Sequence, residues 1–172
     1  LEKPMNKPEP FKLAIIGAGG IGSIHIKNSI NNKDINLVAI CELDKERAKS
    51  CINGQCIPIV ENVSELLKLR PEGIVIASST TSHGQVAEAI IKAKIPFLCE
   101  KPLAADLNQA KQIANYADEQ AVYGAMAFNR RFHQRYSEIR KAIQMGEIGT
   151  PENLHVTSRS ATPPSAKFIS TS

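Results

Sequence analysis

A glycine-rich segment, GAGGIG at residues 17–22, directly follows a short apolar run, FKLAII at residues 11–16. An apolar run of this length that ends in glycines is typical of a buried parallel strand and the tight turn after it. Further strand-like runs, separated by segments of helical pattern, lie at residues 37–41, 56–60, 73–77, 95–99 and 121–128. Because strands alternate with helices, we predict an α/β fold with a doubly wound parallel sheet over residues 11–128.

Composition and charge narrow the possible functions. The 172 residues are 42% hydrophobic and 22% charged, and no apolar run approaches the roughly 20 residues that span a bilayer. The polar, proline-rich N-terminus has no signal-peptide core, so we predict a cytoplasmic protein with no membrane partner. Only 5% of the residues are aromatic and most basic residues are scattered, which argues against a nucleic-acid partner.

The cysteines give no sign of a metal centre. Cys41, Cys51, Cys56 and Cys99 form no CxxC pair, and no histidine stands at zinc-finger spacing from them. In an α/β chain without a secretion signal such cysteines are typically free thiols, several of them buried. The sequence therefore predicts no metal site.

The glycine-rich segment has the spacing G-x-G-x-x-G, with Gly17, Gly19 and Gly22 at the glycine positions. In a dinucleotide-binding turn the first glycine permits the tight bend, the second admits the pyrophosphate, and the third lets the helix pack on the strand. Gly20 and Ile21 begin a helix whose free N–H groups and partial positive charge would face the phosphates. We therefore predict that these five residues bind the cofactor.

An acid at the end of the second predicted strand completes the dinucleotide-binding pattern. Glu42 lies twenty residues beyond Gly22, and its carboxylate would accept hydrogen bonds from both ribose hydroxyls of NAD. The same charge would repel the 2′-phosphate of NADP, so NAD is the predicted cofactor and NADP the weaker alternative. Two competing interpretations make Glu42 a solvated loop acid or Asp44 the ribose ligand.

The fourth predicted strand ends in ASSTTSHG, at residues 77–84. Open parallel sheets bind ligands at the carboxyl ends of their strands, so Ser78, Ser79 and Thr80 would contact the cofactor through hydroxyl or backbone groups. His83 falls at the start of the next helix. Two interpretations stay open for it: a cofactor-binding histidine, or one bonded to nearby backbone.

The fifth predicted strand delivers CEKP, at residues 99–102, to the same edge. GAGGIG, the acid after the second strand, the S-T-x-x-H stretch, CEKPLA and FNRRF occur together and in this order. With these segments, residues 11 to about 160 resemble the Gfo/Idh/MocA family of sugar and inositol oxidoreductases. The resemblance implies NAD(P) binding by the N-terminal half and hydride transfer between nicotinamide and a polyol or sugar carbon.

The resemblance also implies roles for single residues. Lys101 matches the lysine of the family's E-K-P motif, which would sit beside the nicotinamide as the catalytic residue and hydrogen-bond the reacting hydroxyl of the substrate. An ammonium suits this role because it stabilises developing alkoxide charge. Glu100 joins the cofactor-binding residues, and Pro102 would rigidify the turn through a cis bond. In FNRRF, Asn129 would face the cofactor and Arg130 the substrate.

The chain departs from the family pattern in its second half. Residues 129–172 are expected to hold only the start of a truncated α+β substrate and oligomerisation domain. We predict a basic helix at residues 133–145, an alternating strand LHVTSRS at residues 154–160 and a loop at residues 161–172. No counterpart of the family's catalytic Asp and His is found, and His155 is not assigned to that role.

Several explanations of this departure compete: a shortened gene product or preparation, a proteolysed species, or a genuine cofactor-binding remnant. The leading functional hypothesis is an NAD-dependent dehydrogenase acting on a CH–OH group of a polyol or sugar, with poor or absent turnover by this chain. The alternative is a non-catalytic NAD(P)-binding regulatory or sensor module, against which the intact E-K-P lysine argues. The family implies a homo-oligomer, and an unpaired strand would also favour self-association.

Overall fold

The computed structural model describes residues 9–159 and residue 163, so most of the loop expected at residues 161–172 lies outside the described residues. The chain divides into two compact units, the first ending at Ala127 and the second beginning at Phe128. The first unit holds the sheet and the second begins at the FNRRF segment. Each unit is described by itself below.

The first unit is built on a six-stranded parallel sheet with the order β3-β2-β1-β4-β5-β6. The strands are β1 (Phe11–Ile16), β2 (Ile35–Cys41), β3 (Ile59–Val60), β4 (Gly73–Ile76), β5 (Phe97–Cys99) and β6 (Gly124–Met126). The strand order reverses between β1 and β4, which is the position where doubly wound sheets bind nucleotides. The predicted fold class is confirmed. The third strand keeps only the last two of its predicted residues and the sixth only three central ones, because only these have ladder partners on β2 and β5.

Helices connect the strands and cover the sheet. Those of the first unit are α1 (Gly20–Ile30), α2 (Lys45–Cys51), α3 (Val63–Lys68), α4 (Thr80–Lys92) and α5 (Leu107–Glu119). Side-chain oxygens of Asp44, Asn62 and Asp106 accept hydrogen bonds from first-turn N–H groups and begin α2, α3 and α5. Within the part of the chain that the structure describes, no helix has the length and apolar character needed to span a membrane.

Two apolar clusters fill the two faces of the sheet. Successive strand residues point to opposite faces, so Ile15 belongs to one cluster and Ile16 to the other. Ile26 of α1 packs in the cluster of Ile15 and Val75, whereas Ile90 of α4 packs in the cluster of Ile16. Helices α1 and α4 therefore lie on opposite faces of the sheet and reach its carboxyl edge from opposite sides.

The buried face of α1 differs from the one that the isoleucine spacing suggests. Ile21, Ile24 and Ile30 stand at roughly helical spacing in the sequence, but Ile21 and Ile24 are 39% and 51% exposed. Gly22, Ile26 and Ser29 face the sheet instead. A helix turns by about 100° per residue, so contact at Gly22 directs positions four and seven residues later toward the sheet and leaves Ile21 and Ile24 outside.

The second unit contains a short 3₁₀ helix at Asn129–Phe132 and the helix α6 (Gln134–Gln144). The predicted basic helix is therefore present, one residue shorter at each end. The strand predicted at residues 154–160 is wrong for residues 154–159, which form no strand. Leu154 and Val156 are 79% and 58% exposed, so their alternating apolar pattern finds no sheet to pair with. A period-2 pattern becomes a strand only where a partner supplies ladder hydrogen bonds.

Thiol reactivity offers a test of the core packing. Cys41, Cys51 and Cys99 are buried and Cys56 is exposed. Burial, followed by the nearby Glu42 and Glu65 carboxylates, raises the pKa of Cys41 to about 11. Burial, followed by the Glu100 carboxylate, raises the pKa of Cys99 to about 12. Since the thiolate is the nucleophile, Cys41 and Cys99 stay protonated and inert at neutral pH.

We therefore predict that a disulfide reagent at about pH 8 modifies one thiol rapidly in the native protein and the remaining three only after unfolding. A Cys56→Ser variant should lose the fast phase, as followed by absorbance and by mass spectrometry of the modified peptides. Fast modification of Cys41 or Cys99 in the native protein would contradict the packing described above.

Candidate functional site

The candidate site lies where the carboxyl ends of β1, β2, β4 and β5 meet, on both sides of the point where strand order reverses. Four segments follow these strand ends: the glycine turn at residues 17–19, the acid at residue 42, the serines at residues 78–79 and the E-K-P segment at residues 100–102. Parallel pairing brings them to one edge although they are far apart in sequence.

Two of the motif glycines are needed by the fold itself. Gly17 has φ +97°, and a Cβ there would lie 2.5 Å from the carbonyl oxygen of Ala77 on the neighbouring strand segment. A Cβ on Gly22 would overlap the carbonyl oxygen of Gly17. The absence of both side chains therefore lets the first turn of α1 pack directly on the end of β1.

The next two glycines leave open space. A Cβ on Gly19 or Gly20 would meet nothing within 4 Å. Gly19 is the N-cap of α1, no side chain caps this helix, and its first turn carries no acid. Free N–H groups beside an open surface suit a pyrophosphate, since the helix end also carries partial positive charge. This part of the site therefore fits a dinucleotide.

Glu42 is oriented by the backbone. Its Oε2 accepts a hydrogen bond from the Ala18 N–H at 2.8 Å and its Oε1 accepts one from the Asp44 N–H at 3.1 Å. The side chain is only 11% exposed, which is unlike a solvated loop acid. The Arg47 guanidinium lies 3.7 Å from Oε2. The carboxylate predicted to bind the ribose is thus held beside the glycine turn.

Asp44, the competing ribose ligand, has another role in the structure. Its Oδ1 accepts a hydrogen bond from the Arg47 N–H at 3.0 Å and begins α2. Its Oδ2 lies 3.0 Å from Nη2 of Arg47. The Arg47 backbone N–H, aided by the guanidinium charge, holds the pKa of Asp44 below its usual range. These contacts engage both oxygens of Asp44 away from the glycine turn.

The segment after β4 forms a cluster of hydroxyl groups at the beginning of α4. Ser78 Oγ and Ser82 Oγ lie 2.7 Å apart, Ser79 is the N-cap, and Thr80 is the first helical residue. Ser78 and Thr80 are partly exposed and Ser79 is exposed, so all three predicted cofactor contacts lie at the open edge. Their hydroxyl groups are therefore available to a ligand there.

His83 is buried, with 1% exposure. Its Nδ1 lies 2.7 Å from the carbonyl oxygen of Pro102 and its Nε2 lies 3.1 Å from the carbonyl oxygen of Ser78. Both ring nitrogens thus face backbone acceptors, which agrees with the second of the two interpretations of this residue. His83 joins the loop after β4 to the E-K-P segment.

The E-K-P segment extends the sheet by one residue. The Glu100 N–H donates to the carbonyl oxygen of Ile76 at 2.8 Å, and the Lys101–Pro102 peptide bond is cis, as expected. Glu100 is 9% exposed, whereas Lys101 is exposed. The ammonium of Lys101 has no hydrogen-bond or ion-pair partner among the residues that the structure describes.

Comparison with protein families agrees with this geometry. Residues 11–128 match the model of an oxidoreductase family with an NAD-binding Rossmann fold. The chain belongs to the Gfo/Idh/MocA family. The matched residues include the glycine turn, Glu42 and the E-K-P segment, so the candidate site lies within the region that matches the family's NAD-binding Rossmann fold.

Individual relatives resemble the same part of the chain. An uncharacterized oxidoreductase of Bacillus subtilis, YrbE, is 32% identical over 92% of this chain and 47% of its own length. A myo-inositol 2-dehydrogenase of Thermotoga maritima is 29% identical over 92% of this chain and 48% of its own. A crystal structure of a probable dehydrogenase from Thermotoga maritima has 29% identity and a TM-score of 0.86, over 92% of this chain and 48% of that one. The chain thus spans about half the length of the curated relatives it matches.

One residue near the candidate site, His25, was not predicted from the sequence. Nε2 of His25, on α1, lies 2.9 Å from Oε1 of Glu100, which is 75 residues away in sequence. The available signal was its position: His25 follows Gly22 by three residues, and both therefore lie on the side of α1 that faces the sheet. A polar residue on a helix face that packs against a sheet needs a partner, but its spacing does not identify that partner.

Asn129 and Arg130 belong to the second unit. Asn129 is exposed and begins the short 3₁₀ helix. The Arg130 guanidinium lies 5.7 Å from the ring centre of Tyr136 and donates to its hydroxyl at 3.0 Å, and a second nitrogen lies 3.4 Å from Ser158 Oγ. These contacts lie within the second unit, and the cofactor and substrate roles of the two residues stay predictions.

A cavity of about 520 Å³ lies beside α1, with His25 among its lining residues. Its walls come from α1 and from the sheet face formed by β1, β4, β5 and β6, and they are mainly apolar, with Phe11, Leu13, Val75, Phe97 and Leu98 among them. The cavity has neither the glycine turn nor Glu42 nor Lys101 in its walls. We therefore assign nucleotide binding to the edge and not to this cavity.

The different surroundings of the glycines predict separable effects of alanine substitutions. Gly19→Ala should leave stability within about 0.5 kcal/mol of wild type, since the added Cβ meets no atom of the chain. The same methyl group would stand where the pyrophosphate approaches, so NAD affinity should fall at least about tenfold. Thermal denaturation and titration calorimetry would measure the two effects.

Gly17→Ala provides the contrast. A Cβ at positive φ and 2.5 Å from a carbonyl oxygen should destabilise the first unit by about 2 kcal/mol or more, and NAD binding should be lost with the fold. Equal stability losses in Gly17→Ala and Gly19→Ala, or unchanged NAD affinity in Gly19→Ala, would contradict the division of roles.

Proposed function

We propose that the protein binds NAD along the carboxyl edge of its sheet and functions in hydride transfer between nicotinamide and a hydroxyl carbon of a cyclic polyol or sugar. One observation carries the proposal. The open glycine turn, the backbone-held Glu42 and the exposed ammonium of Lys101 follow strands β1, β2 and β5 at one edge. Family membership supports the oxidoreductase class.

Different residues of the chain would bind different parts of NAD. N–H groups at the start of α1, beside Gly19 and Gly20, would hold the pyrophosphate. The Glu42 carboxylate, held by the Ala18 and Asp44 N–H groups, would accept hydrogen bonds from the adenosine ribose hydroxyls at its remaining acceptor sites. Ser78 and Thr80 border the next section of the edge, toward Lys101. When bound, NAD supplies the hydride acceptor that no side chain provides.

We propose NAD rather than NADP because of the charge at the ribose end. A carboxylate that accepts from the Ala18 N–H stands where a 2′-phosphate would add about two negative charges. Arg47, 3.7 Å from Oε2, is already balanced by Glu42 and Asp44. The Arg47 guanidinium would have to leave both carboxylates before it could balance the negative charge of a 2′-phosphate.

Lys101 would act on the substrate. Its ammonium is exposed and has no partner in the described part of the chain, so it can donate a hydrogen bond to a hydroxyl oxygen. The oxygen becomes more negative as the hydroxyl proton passes to water or to a base, so the bond from Lys101 strengthens before the hydride leaves the carbon for nicotinamide. This stabilises the transition state more than the ground state. A cyclic polyol or sugar is the proposed substrate class because the Thermotoga maritima relative is named a myo-inositol 2-dehydrogenase.

Cofactor choice can be tested at Glu42. Glu42→Gln keeps a side-chain oxygen for the Ala18 N–H but removes the charge, so it should weaken NAD binding by about tenfold and bring NADP affinity close to that of NAD. Parallel calorimetric titrations with both cofactors would measure the change.

Glu46→Gln is the matched control. Glu46 is also an acid near Arg47 in sequence, but it is exposed and pairs with Lys49. The same change of charge there should alter neither affinity by more than about twofold. An unchanged preference in Glu42→Gln, or an equal shift in Glu46→Gln, would contradict the role of Glu42.

The position of Lys101 can be tested without turnover. Bound NADH should slow acylation of Lys101 by about fivefold or more, because the nicotinamide would cover its ammonium, while exposed lysines such as Lys27 and Lys92 react unchanged. Peptide mass spectrometry after limited acylation would give each rate.

The reaction itself is tested by NADH formation from myo-inositol and a panel of sugars. Lys101→Ala should lower any such activity by at least about 100-fold while changing NAD affinity less than threefold. Absence of protection, or activity that is independent of Lys101, would contradict the proposal.

A further inference from the structure

We propose that His25 is a positioning residue that keeps the Glu100 carboxylate off the Lys101 ammonium. This inference rests on the proposed function in one respect: Lys101 is taken as the group that meets the substrate hydroxyl. The contact between α1 and the E-K-P segment carries the argument, since Nε2 of His25 lies 2.9 Å from Oε1 of Glu100.

The His25–Glu100 contact has a defined donor. A carboxylate only accepts hydrogen bonds, so Nε2 of His25 must carry the proton and donate. The side chains are 22% and 11% exposed, and Glu100 is the one acid that counts as buried among the described residues. Buried carboxylates need hydrogen-bonded partners, and His25 supplies the side-chain partner that the structure describes.

The alternative partner of Glu100 is its own neighbour in sequence. The ammonium of Lys101 is without a partner in the described part of the chain. Neighbouring side chains of an extended segment leave it on opposite sides, but the long, exposed Lys101 side chain can bend toward a carboxylate released from His25. A pair between them would remove the ammonium from the substrate's side. His25 therefore decides whether Lys101 presents an available or an occupied ammonium.

The backbone around this pair is already held from both sides. The Glu100 N–H donates to Ile76, the Ala127 N–H donates to the Cys99 carbonyl, and His83 on α4 lies against the Pro102 carbonyl. With the main chain held in this way, the directions of the Glu100 and Lys101 side chains are what remain to be set. His25 holds the Glu100 side chain from the face of the sheet that carries α1, opposite to the face that carries α4 and His83.

The location of His25 gives the contact a functional consequence. The same helix, α1, presents its free N–H groups at the glycine turn and His25 at the E-K-P segment. A helix placed correctly for the pyrophosphate therefore also places the donor that controls Glu100. The two ends of the cofactor site are joined through one rigid element.

The test measures the acylation rate of Lys101 in the full 172-residue chain without cofactor, relative to Lys27 and Lys92, by peptide mass spectrometry. His25→Ala should slow Lys101 by about threefold or more, because the released carboxylate pairs with the ammonium and favours its unreactive charged form. His25→Gln, whose amide nitrogen can reach the place of Nε2, should restore the wild-type rate. So should the double variant His25→Ala/Glu100→Gln, in which no carboxylate is left to capture Lys101.

These outcomes separate positioning from a merely structural role. A structural loss would not be repaired by a second change at Glu100, whereas the proposal requires that repair. If His25→Ala shows no cooperative thermal transition, His25→Phe is used in its place. Phenylalanine fills the space of the imidazole ring but has no hydrogen-bond donor. The inference is overturned if Lys101 reacts within about 1.5-fold of the wild-type rate in a folded His25→Ala or His25→Phe variant. It is also overturned if the rate falls in that variant and adding Glu100→Gln does not restore it.

The proposed function and this inference fail in different ways. If NADH does not protect Lys101 in the wild-type protein, the place of the lysine beside the nicotinamide is wrong. The cofactor-free rates still report whether His25 controls the Glu100–Lys101 pair. If NADH protects but the His25 variants react like wild type, the proposed function stands and the positioning role is wrong.

Discussion

The close approach of α1 to the end of β1 determines where every other part of the site lies. Two missing side chains make it possible, because a Cβ on Gly22 or Gly17 would strike backbone atoms of the turn or of the strand beside it. The approach brings the N-terminus of the helix to the carboxyl edge at the point where strand order reverses. An uncapped helix N-terminus, an open surface at Gly19 and the sheet-facing His25 all follow from it.

Two acids at this edge, Glu42 and Glu100, are held in place by hydrogen bonds within the protein. Glu42 is held by two backbone N–H groups before any ligand arrives, so its carboxylate pays little ordering cost on binding. At the other end, the backbone and side chain of Glu100 are anchored while Lys101 next to it is left exposed. One acid thus lies beside the glycine turn and the other is hydrogen-bonded to His25, which would suit a site with a ribose at one end and a developing alkoxide at the other.

Much of the first unit could be predicted because its signals are local. Each strand is a compact apolar run, turn residues or helical segments follow it, and parallel pairing needs no further information to assemble such units. The glycine spacing and the acid after β2 likewise lie within one supersecondary unit. The features that the sequence pattern mispredicted depend on contacts with other elements. Ile21 and Ile24 matched a helical period, but contact at Gly22 turned them outward, and residues 154–159 alternate like a strand without a ladder to join.

The sequence by itself determined the alternation of strands and helices, the glycine turn, and the kinds of side chain delivered to the carboxyl edge. Tertiary structure decided which of those side chains meet. Glu42 reaches Ala18 across 24 residues, His83 reaches Pro102 across 19, and His25 reaches Glu100 across 75. The physical reason is that periodicity assigns a residue to a face of its own helix or strand, whereas a hydrogen bond between elements depends on how closely and in what register they pack.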